Sequence, residues 1–150
     1  MSLVLLVCGD DRRLSYAEEL RAQRLLVHTV SRPEDTWEAL TMVTPDVAVV
    51  AADCTGVEPD VIAFIEALRC GLDDATSIIL ISQQARFADR EPLRRAGLDL
   101  LLLNAPQPSE VAYEVKRALI LRRSGRRLPW NGPAPNVRAV SAATARDRAS

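Results

Sequence analysis

Residues 45–51 read PDVAVVA, and this run decides the fold. Five consecutive apolar residues, Val47 to Ala51, show no polar alternation. That pattern describes a strand covered on both faces, as in the middle of a parallel sheet. Three of the five are valines, whose β-branched side chains suit a pleated surface. Pro45-Asp46 opens the strand, and Asp46 is expected to fix its entry.

The same rhythm extends both ways. Downstream, Pro59 to Arg69 carries an apolar stripe at Val61, Ile62, Ile65 and Leu68, and Gly71 ends that helix. Ser77 to Ile81 is a β-branched strand closing at Ser82. Phe87 to Ala96 is a weaker helix stopped by Gly97, and Leu98 to Leu103 is a fifth strand. Pro108-Ser109-Glu110 starts a last helix with Val111, Val115, Ala118 and Leu119 on one side. Upstream, Leu3 to Val7 is a buried strand and Arg13 to Arg24 a helix with Leu14, Ala17, Leu20 and Leu25 on its apolar face. Leu26 to Val30 is a short strand, in which His28 reads as a packing residue. Pro33 then leads into a short helix from Thr36 to Met42.

Strand and helix thus alternate five times, which indicates an α/β fold with a parallel sheet covered on both faces. Periodicity leaves the two common doubly wound strand orders open. The rhythm stops at residue 123. Residues 124–150 hold several breakers and little periodicity, so they are expected to form a flexible basic tail beyond a 1–123 domain.

Composition narrows the function. Of the 150 residues, 48% are hydrophobic and only 4% aromatic, so the core is aliphatic. No apolar run is long enough to span a bilayer. The start, MSLVLLVCGDD, lacks the basic leader of a signal peptide, so a cytoplasmic location is expected. Cys8, Cys54 and Cys70 form no CxxC pair and read as reduced thiols rather than zinc ligands. Net charge is −1, but residues 116–150 hold nine basic side chains against one acid, Asp147. Those arginines come with no recognition helix or aromatic platform, which disfavours nucleic acid. Gly9 stands alone before two acids, a poor phosphate loop for a dinucleotide site.

The five-unit rhythm, the opening strand, PDVAVV and ILIS (residues 79–82) together resemble the receiver domain of bacterial two-component response regulators over residues 2–123. The resemblance implies a flavodoxin-like fold of order 2-1-3-4-5 with its chemistry at the carboxyl ends of the strands. Typical receivers bind Mg²⁺ through acids after strand one. They carry a phosphoacceptor aspartate at the end of strand three, a hydroxyl after strand four and a lysine after strand five. Here the acidic pair falls on Cys8 and Gly9, with Asp10 and Asp11 following. Counted from Pro45-Asp46, the acceptor place falls on Ala51; counted back from FIEAL (residues 64–68), it falls on Asp53. Strand register is fixed by buried side chains, whereas a loop absorbs two residues cheaply, which favours Ala51. Ser82 matches the hydroxyl, Asn104 takes the lysine's place before Ala105, and Leu101 stands where a switch aromatic is common. The match is to an atypical, or pseudo-, receiver.

Phosphoryl transfer to a carboxylate needs an oxygen nucleophile, a divalent cation and positive charge against the new phosphate. Ala51 offers no nucleophile, and Asn104 cannot neutralise charge. Asp10 and Asp11 are expected to cap the first helix. Any Mg²⁺ would have to be gathered by Asp10, Asp11 and Asp53, and no cofactor is expected. No convergent acid, base or nucleophile set suggests an enzyme. The expected role is a phosphorylation-independent adaptor for another signalling protein, such as a histidine kinase or an output protein, or for a second copy of itself. The alternative is a single-domain receiver phosphorylated on Asp53 with Mg²⁺. By analogy with receivers, the interaction face would be formed by the fourth and fifth helices and the fifth strand, with Phe87, Leu93, Leu98, Leu101, Val111 and Tyr113 as candidates.

Overall fold

The computed structural model of the chain describes residues 1–51, 58–83 and 90–130. The elements run β1 (Leu3–Val7), α1 (Arg12–Ala22), β2 (Leu26–Val30), a 3₁₀ turn (Pro33–Asp35), α2 (Thr36–Met42) and β3 (Val47–Ala51). They continue with α3 (Glu58–Gly71), β4 (Ser77–Ser82), α4 (Arg90–Ala96), β5 (Leu100–Leu103) and α5 (Pro108–Arg122). The five strands form one parallel sheet of order β2-β1-β3-β4-β5. This is the flavodoxin-like doubly wound arrangement, and it settles the strand order that periodicity left open.

The PDVAVVA run behaves as its composition demands. β3 lies at the centre of the sheet between β1 and β4, with all five residues buried. Val47, Val49 and Ala51 face a core built with Tyr16, Ala17 and Leu20 of α1 and with Val111, Val115 and Ala118 of α5. Ala48 and Val50 face the opposite core, with Ala39 of α2, Ile65 and Leu68 of α3, and Leu93 of α4. The period-two pleat thus feeds both layers from one strand. Each fully buried Val or Leu contributes about 1.5–3 kcal/mol. Asp46 locks the entry: its N–H donates to Leu3 O at 2.8 Å, and its Oδ2 accepts from Leu3 N at 2.9 Å.

The expected α1 stripe needs one correction. Leu14 is 63% exposed, and Tyr16 takes the buried place beside Ala17 and Leu20. The helix begins at Arg12, and the face turned to the sheet is 16, 17 and 20. β5 begins at Leu100, two residues later than its apolar run suggested. Leu98 and Asp99 form instead the turn out of α4, where Gly97 (φ +110°) closes a Schellman cap: Gly97 N donates to Arg94 O, and Leu98 N to Leu93 O. A β-carbon on Gly97 would sit 2.6 Å from Arg69 Cγ, so the position also needs glycine for space.

The boundary after residue 123 also moves. α5 ends in a second Schellman turn at Gly125 (φ +72°), with Gly125 N on Arg122 O and Arg126 N on Leu121 O. The chain then returns to the domain, and Leu128 is only 3% exposed in the α1/α5 core. The packed body therefore runs to Trp130. A single buried leucine in a short extended segment carries no periodicity, so the pattern ended before the fold did. Residues 131–150 lie outside the described residues. Among those described, no helix is long and apolar enough to cross a membrane.

Candidate functional site

The carboxyl ends of β1, β3, β4 and β5 meet at one edge of the sheet, where open α/β folds place their chemistry. β1 is prolonged by Cys8, whose N–H donates to Val30 O at 3.0 Å. The Cys8 thiol is fully buried and donates to Asp10 Oδ1 at 3.3 Å. Gly9 and Asp11 are exposed. Asp10 folds back over the start of α1, and its Oδ1 accepts the Arg12 backbone N–H at 3.0 Å. Asp10 therefore meets one orphan donor of the first turn, whereas Asp11, at the N-cap, makes no side-chain cap bond.

Arg12 then encloses the same carboxylate. Its Nε reaches Oδ1 at 3.2 Å and Oδ2 at 3.0 Å, and its Nη2 donates to Oδ2 at 2.6 Å. This is a fork-on-carboxylate pair, stronger and more directional than a single charged contact. It holds the Asp10 carboxyl at about 2, against 3.8 ordinarily. The Arg12 side-chain bonds are the main cause; burial opposes them, and the Arg12 backbone and Cys8 bonds add to them. Both Asp10 oxygens are thus engaged by four donors from within the chain. Sequence reasoning missed Arg12. Residues two apart do not face each other along a helix, and the pairing exists because Asp10 lies just outside α1.

Ala51 is the last residue of β3, pairs with Ile81, and is fully buried among Cys8, Val49, Ile79 and Ile81. Its methyl brings neither charge nor a hydrogen-bonding group to the edge. Ser82 ends β4, paired with Leu103, and is buried. Asn104 and Ala105 follow β5, both exposed and both left-handed (φ 61° and 48°). Pro106 is buried, and its carbonyl accepts from Tyr16 Oη at 3.0 Å, which pins the β5–α5 loop to α1. Burial pushes the Tyr16 hydroxyl above its ordinary value, keeping it a proton donor. Asp53 and Phe87 lie outside the described residues. Among those described, no group of three or more His, Cys, Asp or Glu side chains is placed to hold a metal ion. With Asp10 enclosed by Arg12, the described donors do not fit Mg²⁺.

The expected interaction face needs correcting. Leu93, Leu98, Leu101 and Val111 are all core residues. Leu101 faces the α2–α4 layer and Val111 the α1/α5 layer, so neither is free to meet a partner. An apolar residue on a strand covered on both faces belongs to the core whichever way it points, and that removes Leu101. Of the described candidates, Tyr113 alone is open, at 65% exposure, and Ile120, seven residues on, is 61% exposed on the same stripe of α5. An open groove lined by Leu102, Ser109, Glu110, Tyr113 and Glu114 lies beside them.

The fold is the receiver fold. A response regulator receiver domain protein (CheY-like) from Methanospirillum hungatei JF-1 superposes with a TM-score of 0.75 over 83% of this chain and 98% of its own, at 13% identity. A response regulator from Thermotoga maritima gives 0.70 over 80% and 98%, at 16% identity. A putative CpaE2 pilus assembly protein from Sinorhizobium meliloti gives 0.63 over 77% and 98%, at 19% identity. No protein-family model matches the sequence, and no curated protein does. The likeness is one of fold.

Proposed function

We propose that this chain is an atypical receiver, a cytoplasmic, non-enzymatic adaptor that works by binding another signalling protein without accepting a phosphoryl group. The observation that carries the reading is the enclosure of Asp10 by Arg12 beside the buried methyl of Ala51. A receiver's acidic edge recruits its cation from solution. Here a guanidinium supplies the positive charge permanently, with two more donors on the same carboxylate. A divalent ion would have to displace that pair and strip its own waters at once. The exposed Tyr113 and Ile120, with the groove beside them, form the surface on which we place the partner.

The competing reading, phosphorylation on Asp53, draws on Ser82, which ends β4 as a receiver hydroxyl does. Amide NMR of the full chain during titration with Mg²⁺ and beryllofluoride separates the two. The adaptor reading predicts no saturable shifts at Cys8, Asp10, Ala51 and Ser82. Saturable shifts confined to those residues would favour the phosphorelay.

A further inference from the structure

The base of the sheet, opposite the edge just described, carries a second arrangement. Asp99, buried ahead of β5, accepts at Oδ2 from Ile78 N at 2.8 Å and from Arg69 Nη2 at 2.9 Å. Its Oδ1 lies 3.1 Å from Arg127 Nε. Arg69 is held independently, with Nη2 on Thr76 O at 2.8 Å and Nε on Gly97 O at 3.3 Å. Arg127 comes from the strap that follows α5. The next residue, Leu128, donates its N–H to Ser77 Oγ at 2.9 Å and buries its side chain in the α1/α5 core. Two residues on, Trp130 packs against the opposite core. Pro129 favours extended backbone at Leu128, and an extended chain sends alternate side chains to opposite sides. The strap therefore straddles the lower edge of the sheet, with one side chain in each layer.

We propose that this base is a peptide seat, filled in cis by Arg127–Trp130, and that the strap is releasable and exchanges with that of a second copy of the chain. Arg127 is the outer of the two cations on Asp99, its side chain 37% exposed against 14% for Arg69. When it leaves, Arg69 Nη2 and Ile78 N stay on Oδ2, and Oδ1 is given up to water entering behind the strap. Among the described residues, the strap's hold is local, comprising one ion pair, one backbone donor, one leucine and one half-buried tryptophan. Such segments open without global unfolding. In this proposal the strap swings about the turn before it, where residues 123–126 are exposed and nothing lies within 4 Å of where a β-carbon on Gly125 would sit. A second copy offers the same seat to the same segment, so exchange regenerates every contact under two-fold symmetry.

The test uses full-length L128D, whose own strap cannot seat, and a synthetic peptide of residues 122–130. The peptide is expected to bind L128D saturably, and to bind the wild type at least about tenfold more weakly because the cis strap competes. Sedimentation of the wild type is expected to show a dimer growing with concentration, and L128D none. If L128D does not fold, the full-length double variant R127S/W130S replaces it; its own strap then keeps only the Leu128 contacts, so the peptide is expected to displace it and bind more tightly than to the wild type. Failure of a folded variant to bind the peptide overturns the proposal. So does a wild type that stays monomeric at every concentration, or a dimer that persists unchanged in the variant.

Discussion

At the scale of single residues, the guanidinium of Arg12 sets the state of the Asp10 carboxylate. Replacing Arg12 with Gln removes the fork from Asp10, and its carboxyl should rise from about 2 towards 3.8. A carbon-detected NMR titration of the Asp10 carboxyl reads this directly; an unmoved midpoint would show that Arg12 is not its cause. The sign for stability follows. A carboxyl depressed in the folded state stabilises above its unfolded value and loses that contribution as pH falls towards about 2. Acid unfolding of R12Q should therefore be shallower between those values, by a modest amount, because Asp10 is partly exposed and screened by solvent. Ala105 tests the loop after β5. A left-handed alanine carries a backbone cost of about 1–2 kcal/mol, which glycine lacks, offset in part by glycine's looser unfolded chain. Ala105→Gly should raise stability by up to about 1 kcal/mol in urea unfolding, and a loss would mean that the loop is held by contacts at the methyl.

At the scale of elements, the parallel strands were legible because burial on both faces leaves an unbroken apolar run, as in VAVVA and LVLLV. The α5 stripe was legible because Val111, Val115, Ala118 and Leu119 keep helical spacing, and all four are buried. Leu14 misled because an apolar residue at helical spacing is not obliged to be buried when Tyr16 fills the core beside it. Leu93, Leu98, Leu101 and Val111 misled for the reverse reason, since partner faces and cores use the same residue types. At the site, Ala51 and Ser82 were placed by strand ends alone, whereas the Arg12–Asp10 fork depends on how the chain curls into α1. Gly97 is an element-scale test. Gly97→Ala forces an unfavourable φ and drives a methyl into Arg69, whose guanidinium then loses its place on Asp99. The loss should be about 2 kcal/mol or more. Gly125→Ala meets open space and should cost only the backbone term, about 1 kcal/mol. Equal losses at the two positions would contradict this reading of the Arg69 contact.

At the scale of the molecule, one five-stranded sheet carries two edges with different chemistry. Among the described residues, the upper edge carries the Arg12–Asp10 ion pair and the buried methyl of Ala51. The lower edge is closed by the strap, which packs Leu128 and Trp130 against the two cores. Leu128→Ala should cost no more than about 1–2 kcal/mol in global stability, because the strap opens before the sheet does, and a loss of about 3 kcal/mol or more, as at a fully cooperative core leucine, would contradict a releasable strap. The central claim is that the receiver fold here works without taking up phosphate. Intact-protein mass spectrometry of the full chain after incubation with Mg²⁺ and acetyl phosphate tests it most directly. The predicted result is an unchanged mass for wild type and Asp53→Asn alike. A phosphoryl adduct on the wild type that vanishes in Asp53→Asn would contradict it.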